Sequence, residues 1–393
     1  MKKNIKWIVL AVTCLALFVP SYVQYQLPPL APQLMSTFGL TMTQFSSVFS
    51  APMIPAIFLS LVAGLLVDKF GIKKIIGIGI IIAVAGICLR VTANNYPTLF
   101  VYMIMAGFGA TFLNANGPKI LGSYFSPDKI SLMMSALLAC STLAMTIGMG
   151  TTGLFPTIQS AFITAAILSV ISLVLWFALM KDPEKASCEE NEVNVPISVG
   201  ESLKTVAKCK TVWVVGLCLM GIMGCFVAMS SFLPTALVGR GIDQVAAGMY
   251  GSIMTIGTLF GCLLAPIIVK KFGRMKPVML IMAVVAAVGS AFFWSAPEGL
   301  ALGIGLFVFG AASSGLMPLL MSIPIQLAEI GPVFAGTAGG LTATLQLIGA
   351  VLIPTFVIIP VAGADMNLFF ILAGVCMLVS TVLILFLPEL IKK

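Results

Sequence analysis

Charged residues are scarce in this chain of 393 residues: Asp, Glu, Lys and Arg together make up 9% of it. Soluble domains carry about 25% charged residues, so the composition excludes a soluble globular protein. Histidine is absent, which excludes a His-bearing metal centre and a Ser-His catalytic pair. The apolar runs contain no pair of carboxylates for acid–base work. We therefore expect no enzyme activity, no cofactor and no metal site.

Cysteine is present nine times, but without the paired spacing of a metal site. Seven of the nine lie in apolar runs, and Cys188 and Cys209 lie in a polar stretch between two such runs. We expect free thiols, in lipid or in a reducing compartment.

Apolar residues dominate instead, at 60% of the chain with a mean hydropathy of +1.14. They fall into twelve runs long enough to cross a bilayer, and the runs do not alternate as barrel strands do. The first run, beginning at Trp7, continues past Pro20 without a cleavage site, so it is expected to be a retained helix rather than a signal peptide. The sequence predicts an all-α membrane protein with twelve transmembrane helices.

The pattern of the first half of the chain returns in the second half. Lys-Phe-Gly at 69–71 returns at 271–273, Leu-Pro at 27–28 returns at 233–234, and Pro118 returns as Pro318. Ordered matches at such similar offsets indicate a duplicated unit. We predict two pseudo-symmetric six-helix bundles, residues 1–180 and 211–393, joined by a cytoplasmic linker at 181–210, the only long polar stretch.

Positive charge lies on one side of the predicted membrane topology. All of the 21 Lys and Arg residues except Arg90 and Arg240 fall in segments assigned to the cytoplasm, as the positive-inside rule requires. The net charge of +8 therefore indicates orientation in a bacterial plasma (inner) membrane, with both termini cytoplasmic, and does not indicate nucleic-acid binding. A monomer is expected. Arg90 lies about one turn before Asn94, and we expect its side chain to snorkel to the outer membrane surface.

A charged turn between the second and third runs carries the most specific motif. It reads Gly-x-x-x-Asp-Lys-x-Gly-x-Lys-Lys and comprises Gly64, Asp68, Lys69, Gly71, Lys73 and Lys74. It resembles the loop 2–3 motif of the major facilitator superfamily, with lysines where that family has arginines. The second half keeps basic charge at the equivalent turn but has Lys270 where Asp68 stands. The resemblance implies a gating loop in a transporter whose two bundles rock about a central site.

Polar residues within the apolar runs are the candidate substrate ligands. The resemblance implies that the first, fourth, seventh and tenth helices line the cavity, and the candidates are Tyr22, Gln26, Asn114, Asn116, Ser230 and Gln346. Each can equally serve as a helix–helix hydrogen bond. Asn114 and Asn116 are two residues apart, so they lie on different faces of their helix.

Two further stretches resemble the cyanate and nitrate/nitrite group of small-anion transporters. They are Asn-x-Asn-Gly-Pro-Lys-Ile at 114–120 and the glycine-rich segment 335–340. The second and eighth runs lack the arginines that nitrate porters of that group carry, which disfavours nitrate. We expect a secondary transporter for a small organic or inorganic anion, with a small-molecule substrate and membrane lipid as partners. The alternatives are an exporter of an apolar drug-like compound and a membrane sensor without transport.

Overall fold

A computed structural model of the chain describes residues 2–180, 199–327 and 329–389. Within them the structure is helical, and these residues contain no β-strand. The helices are α1 (Lys2–Tyr25), α2 (Leu27–Phe38), α3 (Met42–Ser50), α4 (Ile54–Phe70), α5 (Ile72–Leu89), α6 (Tyr96–Gly122), α7 (Pro127–Thr152), α8 (Ile158–Leu179), α9 (Val199–Lys208), α10 (Lys210–Gly239), α11 (Gln244–Phe272), α12 (Met275–Phe292), α13 (Leu300–Met321), α14 (Ile323–Gln326), α15 (Gly331–Leu352), α16 (Ile359–Ala362) and α17 (Met366–Leu385).

Twelve helical stretches in this structure are long and apolar enough to cross a membrane, which confirms the predicted fold class. Helices satisfy their own backbone hydrogen bonds, as a chain in lipid must. The spans lie within α1, α3 with α4 as far as Ser60, α5, α6, α7 from Leu132 onward, α8, α10, α11, α12, α13 with α14, α15 with its continuation into α16, and α17. The second span is interrupted by a 3-10 turn at Ala51–Met53, and the eleventh by a π-helical segment at Ile353–Ile358.

The first span ends earlier than the sequence suggested. The apolar run that begins at Trp7 was expected to form one retained helix, but α1 stops at Tyr25 and α2 begins at Leu27. Pro28 and Pro29 lie in the first turn of α2, where the missing N–H groups cost little. The chain is therefore broken at Gln26, inside the membrane.

Helices of the first six spans pack among themselves, and so do those of the last six. α1 packs against α6, α7 and α8, while α10 packs against α15 and α17. Small residues permit the closest approaches: a Cβ on Gly148 of α7 would lie 2.9 Å from the Tyr22 carbonyl oxygen of α1. Such small-residue contacts replace the hydrophobic driving force, which is weak between helices in lipid.

Consecutive spans run in opposite directions, so their connecting loops alternate between two faces of the molecule. We call the face that carries the 71, 123–126 and 273–274 turns the basic face, because Lys69, Lys129, Lys271 and Arg274 lie there, and the other the opposite face. The described part of the linker, α9, packs by Val206 against Ile330 and Ala338 near the start of α15.

Candidate functional site

The exposed side chains of α1 form a stripe along one helix face that ends at Ser21. Ala11, Cys14, Phe18 and Ser21 are exposed or half-buried at intervals of three or four residues, which is one helix face. Every residue from Tyr22 to Ala31 is buried. The accessible face of α1 therefore reaches from the basic face as far as Ser21 and ends there.

The equivalent helix of the second half behaves in the same way. Along α10 an accessible face continues from Lys210 through Leu217 and Met220 to Met223, and all residues from Gly224 to Pro234 are buried. By the match of Leu27 with Leu233, Met223 corresponds to Leu17, so the ends of the two accessible faces, at Ser21 and Met223, agree to about one helical turn. Their agreement indicates that both helices face one cavity, open to the basic face and closed beyond the membrane centre.

The fourth and tenth spans complete this pattern. On α6, Asn114 is exposed, whereas the three residues that precede it toward the opposite face, Thr111, Phe112 and Leu113, are buried. On α13, Met317 is half-buried and the preceding stretch 312–316 is buried. Next to Asn114 and Met317 the two helices are thus buried for three and five residues, and we take this buried level as the closed end of the cavity.

The opposite side of the molecule is closed by hydrogen bonds between the two halves. Ser46 and Thr355 hydroxyls lie 2.8 Å apart, and the Thr146 and Thr255 hydroxyls lie 2.9 Å apart. Ser252 donates to the Thr146 carbonyl at 2.7 Å. At the surface, Gln244 donates to the Pro29 carbonyl at 2.9 Å and lies within hydrogen-bonding distance of Gln33. We call this set the opposite-face gate.

The buried apolar core agrees with this arrangement. One cluster runs through both halves, and its members on α1 begin at Val19, on the closed side. The side of the first half that is nearer the basic face has a separate cluster, which includes Val12, Ile76, Leu113 and Trp176 and no residue of the second half. The buried cluster that joins the described halves therefore includes residues of the first half only on the closed side.

Two of the six candidate ligands, Asn114 and Gln346, lie at the closed end of the cavity. Their polar side-chain atoms are available to a substrate. Asn114 is exposed. Gln346 is half-buried, and its amide nitrogen reaches only the thioether sulfurs of Met223 and Met317, at 3.8 and 3.6 Å. Thioethers are weak acceptors, so the amide group of Gln346 is poorly satisfied by the protein.

The other four candidates are engaged in the protein interior. Asn116 donates to the Phe112 and Ala63 carbonyls, and Ser230 donates to the Val227 carbonyl and interacts with Tyr25. Tyr22 is buried with its ring stacked on Phe18 at 6.0 Å. Gln26 is fully buried and donates to the Ala161 carbonyl at 3.0 Å.

Arg90 is a candidate functional residue whose position the sequence reasoning predicted wrongly. The expectation that it snorkels to the surface is wrong: the side chain is completely buried in the first half. Its Nη2 donates to Gln26 Oε1 at 2.8 Å and its Nη1 donates to the Val23 carbonyl at 3.0 Å. The guanidinium carbon lies 4.0 Å from the centre of the Phe162 ring. These contacts hold the cation at the break between α1 and α2.

The charge of Arg90 is not neutralised by an acid within the membrane. None of the twelve described spans contains Asp, Glu or His, and the Nε of Arg90 has no hydrogen-bond partner. A buried cation without a counter-ion is expensive and marks a functional site by default.

The turn carrying the gating motif lies at the basic face, between α4 and α5. Gly71 has φ +92°, a conformation that favours glycine. Lys69 and Lys74 lie 5.2 and 6.0 Å from the centre of the Phe70 ring, and the Lys73 carbonyl accepts from Trp176 Nε1. Gly64 has open space around it. The side chain of Asp68 is outside what the structure describes, so its gating role stays a prediction.

A family model for the major facilitator superfamily matches residues 8–354. The chain belongs to the major facilitator superfamily. It is a multi-pass membrane protein that transports a small solute, as members of this superfamily do.

Relatives of this transporter differ in what they are named for. The cyanate transport protein CynX of Escherichia coli (strain K12) is 21% identical over 82% of this chain and 81% of its own length. A shorter match, 31% identical over 124 residues, covers 32% of this chain and only 27% of the riboflavin transporter RibZ of Clostridioides difficile (strain 630). The crystal structure of the nucleoside transporter NupG is similar in fold, with a TM-score of 0.78 at 14% identity, covering 97% of this chain and 98% of that one.

Proposed function

We propose that this protein is a secondary transporter that moves a small anion across the bacterial plasma membrane by alternating access. Residues 1–180 and 211–393 form the two moving bundles, and 181–210 links them. The basic face is cytoplasmic, with both termini on that side, because Lys and Arg concentrate there. The arrangement described above is then the inward-facing state of the cycle.

The observation that carries the anion assignment is the buried, unneutralised charge of Arg90. Ser21, at the closed end of the cavity, precedes Gln26 by five residues, about 7.5 Å of helix rise. An anion at that level lies about 10 Å from the guanidinium group that Gln26 holds. At an effective dielectric constant of about 20, two unit charges at about 10 Å attract by roughly 1.7 kcal/mol.

This attraction acts on the substrate without direct contact. It corresponds to about a tenfold gain in affinity for a monovalent anion over a neutral molecule of the same shape. Membrane lipid and the apolar cluster around Arg90 exclude water, so the field is screened less than at a protein surface. Hydrogen bonds to the anion come from Asn114 of one half and Gln346 of the other, since both lie at the closed end of the cavity.

The test is a transport assay on the full-length protein in liposomes. Counterflow is measured for cyanate, small carboxylates, other inorganic anions and neutral molecules of matched size, first with the unmodified protein. For the anion that is transported, Arg90→Lys should retain affinity within a few fold, whereas Arg90→Gln should lose about tenfold. Arg240→Gln is the matched control, because Arg240 lies at the opposite face and bonds the Trp294 and Ala296 carbonyls.

Two results would overturn the anion assignment. One is preferential transport of neutral molecules over every anion tested. The other is an Arg90→Gln protein that is folded, judged by its thermal unfolding, and transports the anion with unchanged affinity. Orientation is tested separately with a reporter fused to the C-terminus, and an external reporter would contradict the inward-facing assignment.

Export of an apolar compound is the second candidate, and one feature favours it. The second half lines the closed end of the cavity with the thioethers of Met223 and Met317, and the first half contributes the ring of Phe18. Flexible thioethers adapt to varied apolar ligands. Efflux of an uncharged aromatic compound that is indifferent to Arg90→Gln would select this candidate over anion transport.

A further inference from the structure

Two thiols lie side by side in the wall of the cavity, and the transport mechanism above uses neither. Cys14 belongs to α1 and Cys140 to α7. Cys140 Sγ donates to the Cys14 carbonyl at 3.4 Å, and the two side chains are within hydrogen-bonding range of one another. Closely neighbouring cysteines on packed helices are the starting point for a disulfide.

The packing of the two helices supports this geometry. α1 and α7 are the first and fifth spans, so they run parallel. They come close at Tyr22 and Gly148, and Cys14 and Cys140 each lie eight residues earlier, about two turns along the same seam. A disulfide needs Cβ atoms roughly 3.5–4.5 Å apart, a separation that the two backbones must supply, and the 3.4 Å contact of Cys140 Sγ with the Cys14 carbonyl oxygen shows that α1 and α7 are closely packed at this level.

The pair is also accessible to small molecules. Cys14 belongs to the accessible stripe of α1 that begins at the basic face, and both cysteines are only half-buried. Cys218 and Cys225 of α10, by contrast, are completely buried. A reagent that enters the cavity therefore meets Cys14 and Cys140 before it reaches the closed end.

We propose that Cys14 and Cys140 form an oxidisable dithiol, which small organic disulfides convert into an intramolecular disulfide that ties α1 to α7. One cysteine thiolate attacks the oxidant's S–S bond, forms a mixed disulfide and releases one small thiolate. The second cysteine thiolate then attacks the protein-side sulfur and releases the other. Two protein thiols are oxidised, one small disulfide is reduced to two thiols, and the protons of the cysteines pass to those products.

The experiment treats the full-length protein in liposomes with the aromatic disulfide dithiodipyridine, and peptide mass spectrometry then identifies the state of each cysteine. We expect a linked Cys14–Cys140 peptide, lighter by two hydrogen atoms and free of pyridyl adduct, which a phosphine reductant reverses. Cys262, exposed on α11 and bonded to the Ser314 carbonyl, is the control and should keep a single adduct.

Single variants distinguish a true dithiol from two independent thiols. In Cys14→Ser, Cys140 should keep a stable pyridyl adduct, and in Cys140→Ser the adduct should remain on Cys14. Separate adducts on both cysteines of the unmodified protein would overturn the proposal, and so would two unreacted cysteines beside a modified Cys262. The readout needs no substrate, so its failure would leave the anion-transport proposal intact.

Discussion

If the protein alternates between two states as proposed, the opposite-face gate should set the ratio of those states, and Thr146→Val tests this directly. Valine has nearly the shape of threonine but lacks the hydroxyl that lies 2.9 Å from the Thr255 hydroxyl across the two halves. Thr255 keeps a carbonyl acceptor on its own helix, that of Ser252 at 2.9 Å. The substitution therefore removes a contact between the halves and leaves no buried donor unsatisfied.

The magnitude follows from the net value of a neutral hydrogen bond, about 0.5–1.5 kcal/mol. A loss of about 1 kcal/mol from the state closed on the opposite face shifts the ratio of the two states by about fivefold. Thr255→Val removes the same contact as Thr146→Val. The double variant, which carries both substitutions, should therefore shift the ratio of the two states little further than either single variant. Non-additivity of this kind is what a double-mutant cycle measures.

The assay is the distance between spin labels on the two halves at the basic face. Lys69 and Lys271 are both exposed and lie at equivalent turns of the repeat, so labels there, attached through bioorthogonal amino acids, should move together as the cavity closes. We expect mainly long distances in the unmodified protein and an increased short-distance population in Thr146→Val. Thr142→Val is the control, since its hydroxyl bonds only the Leu138 carbonyl of its own helix. Identical distance distributions for the two variants would refute the reasoning.

Two further pairs of variants separate function from packing. Asn114→Leu should weaken substrate binding at normal thermal stability, whereas Asn116→Leu should lower the unfolding temperature because it removes a buried, bonded side chain; equal binding losses at equal stability would contradict this. Gly107→Ala should reduce the yield of folded protein, since a Cβ there would overlap the Pro52 carbonyl, whereas Gly64→Ala has open space and should be tolerated. Detergent-solubilised yield and thermal unfolding measure both.

The fold was predictable because it follows from the composition of the chain and the spacing of its apolar runs. The thickness of the bilayer sets the length of a spanning helix, so the number of sufficiently long runs gives the number of helices. Residue positions within the site were less predictable. That Asn114 and Asn116 lie on different faces follows from helix geometry, but which of them is accessible depends on packing. The gate joins residues such as Ser46 and Thr355, which are 309 positions apart, and no local pattern indicates that pairing.

Arg90 shows why a sensible local argument failed. Its closeness to the end of its helix indicated a side chain able to reach the surface, and snorkelling is the cheapest solution for an isolated cation. The helix break at Gln26 offers a competing solution, with a free carbonyl at Val23 and an amide oxygen at Gln26. Pro28 and Pro29 signal that break in the sequence, but not that the donor comes from the third span.

Ion coupling is the property that the composition of the spans constrains most sharply. A protein that carries a proton across the membrane needs a group that titrates during the cycle, and burial with a changing partner shifts the pKa of a carboxylate or histidine enough to serve. The described spans contain no Asp, Glu or His. Tyrosine, with an ordinary pKa of about 10, holds its proton too tightly at neutral pH.

We therefore predict exchange or facilitated diffusion, or symport in which the proton travels on the substrate itself. Purified protein in liposomes containing a pH-sensitive dye should take up a fully ionised substrate, such as the anion of a strong acid, without proton movement. A weakly acidic substrate of similar size is the comparison, because its uptake can move protons without a protein carrier. Stoichiometric proton entry with the strong-acid anion would show that a protein group carries the proton. The titrating group would then have to lie outside the described spans, and the reasoning from their missing carboxylates would fail.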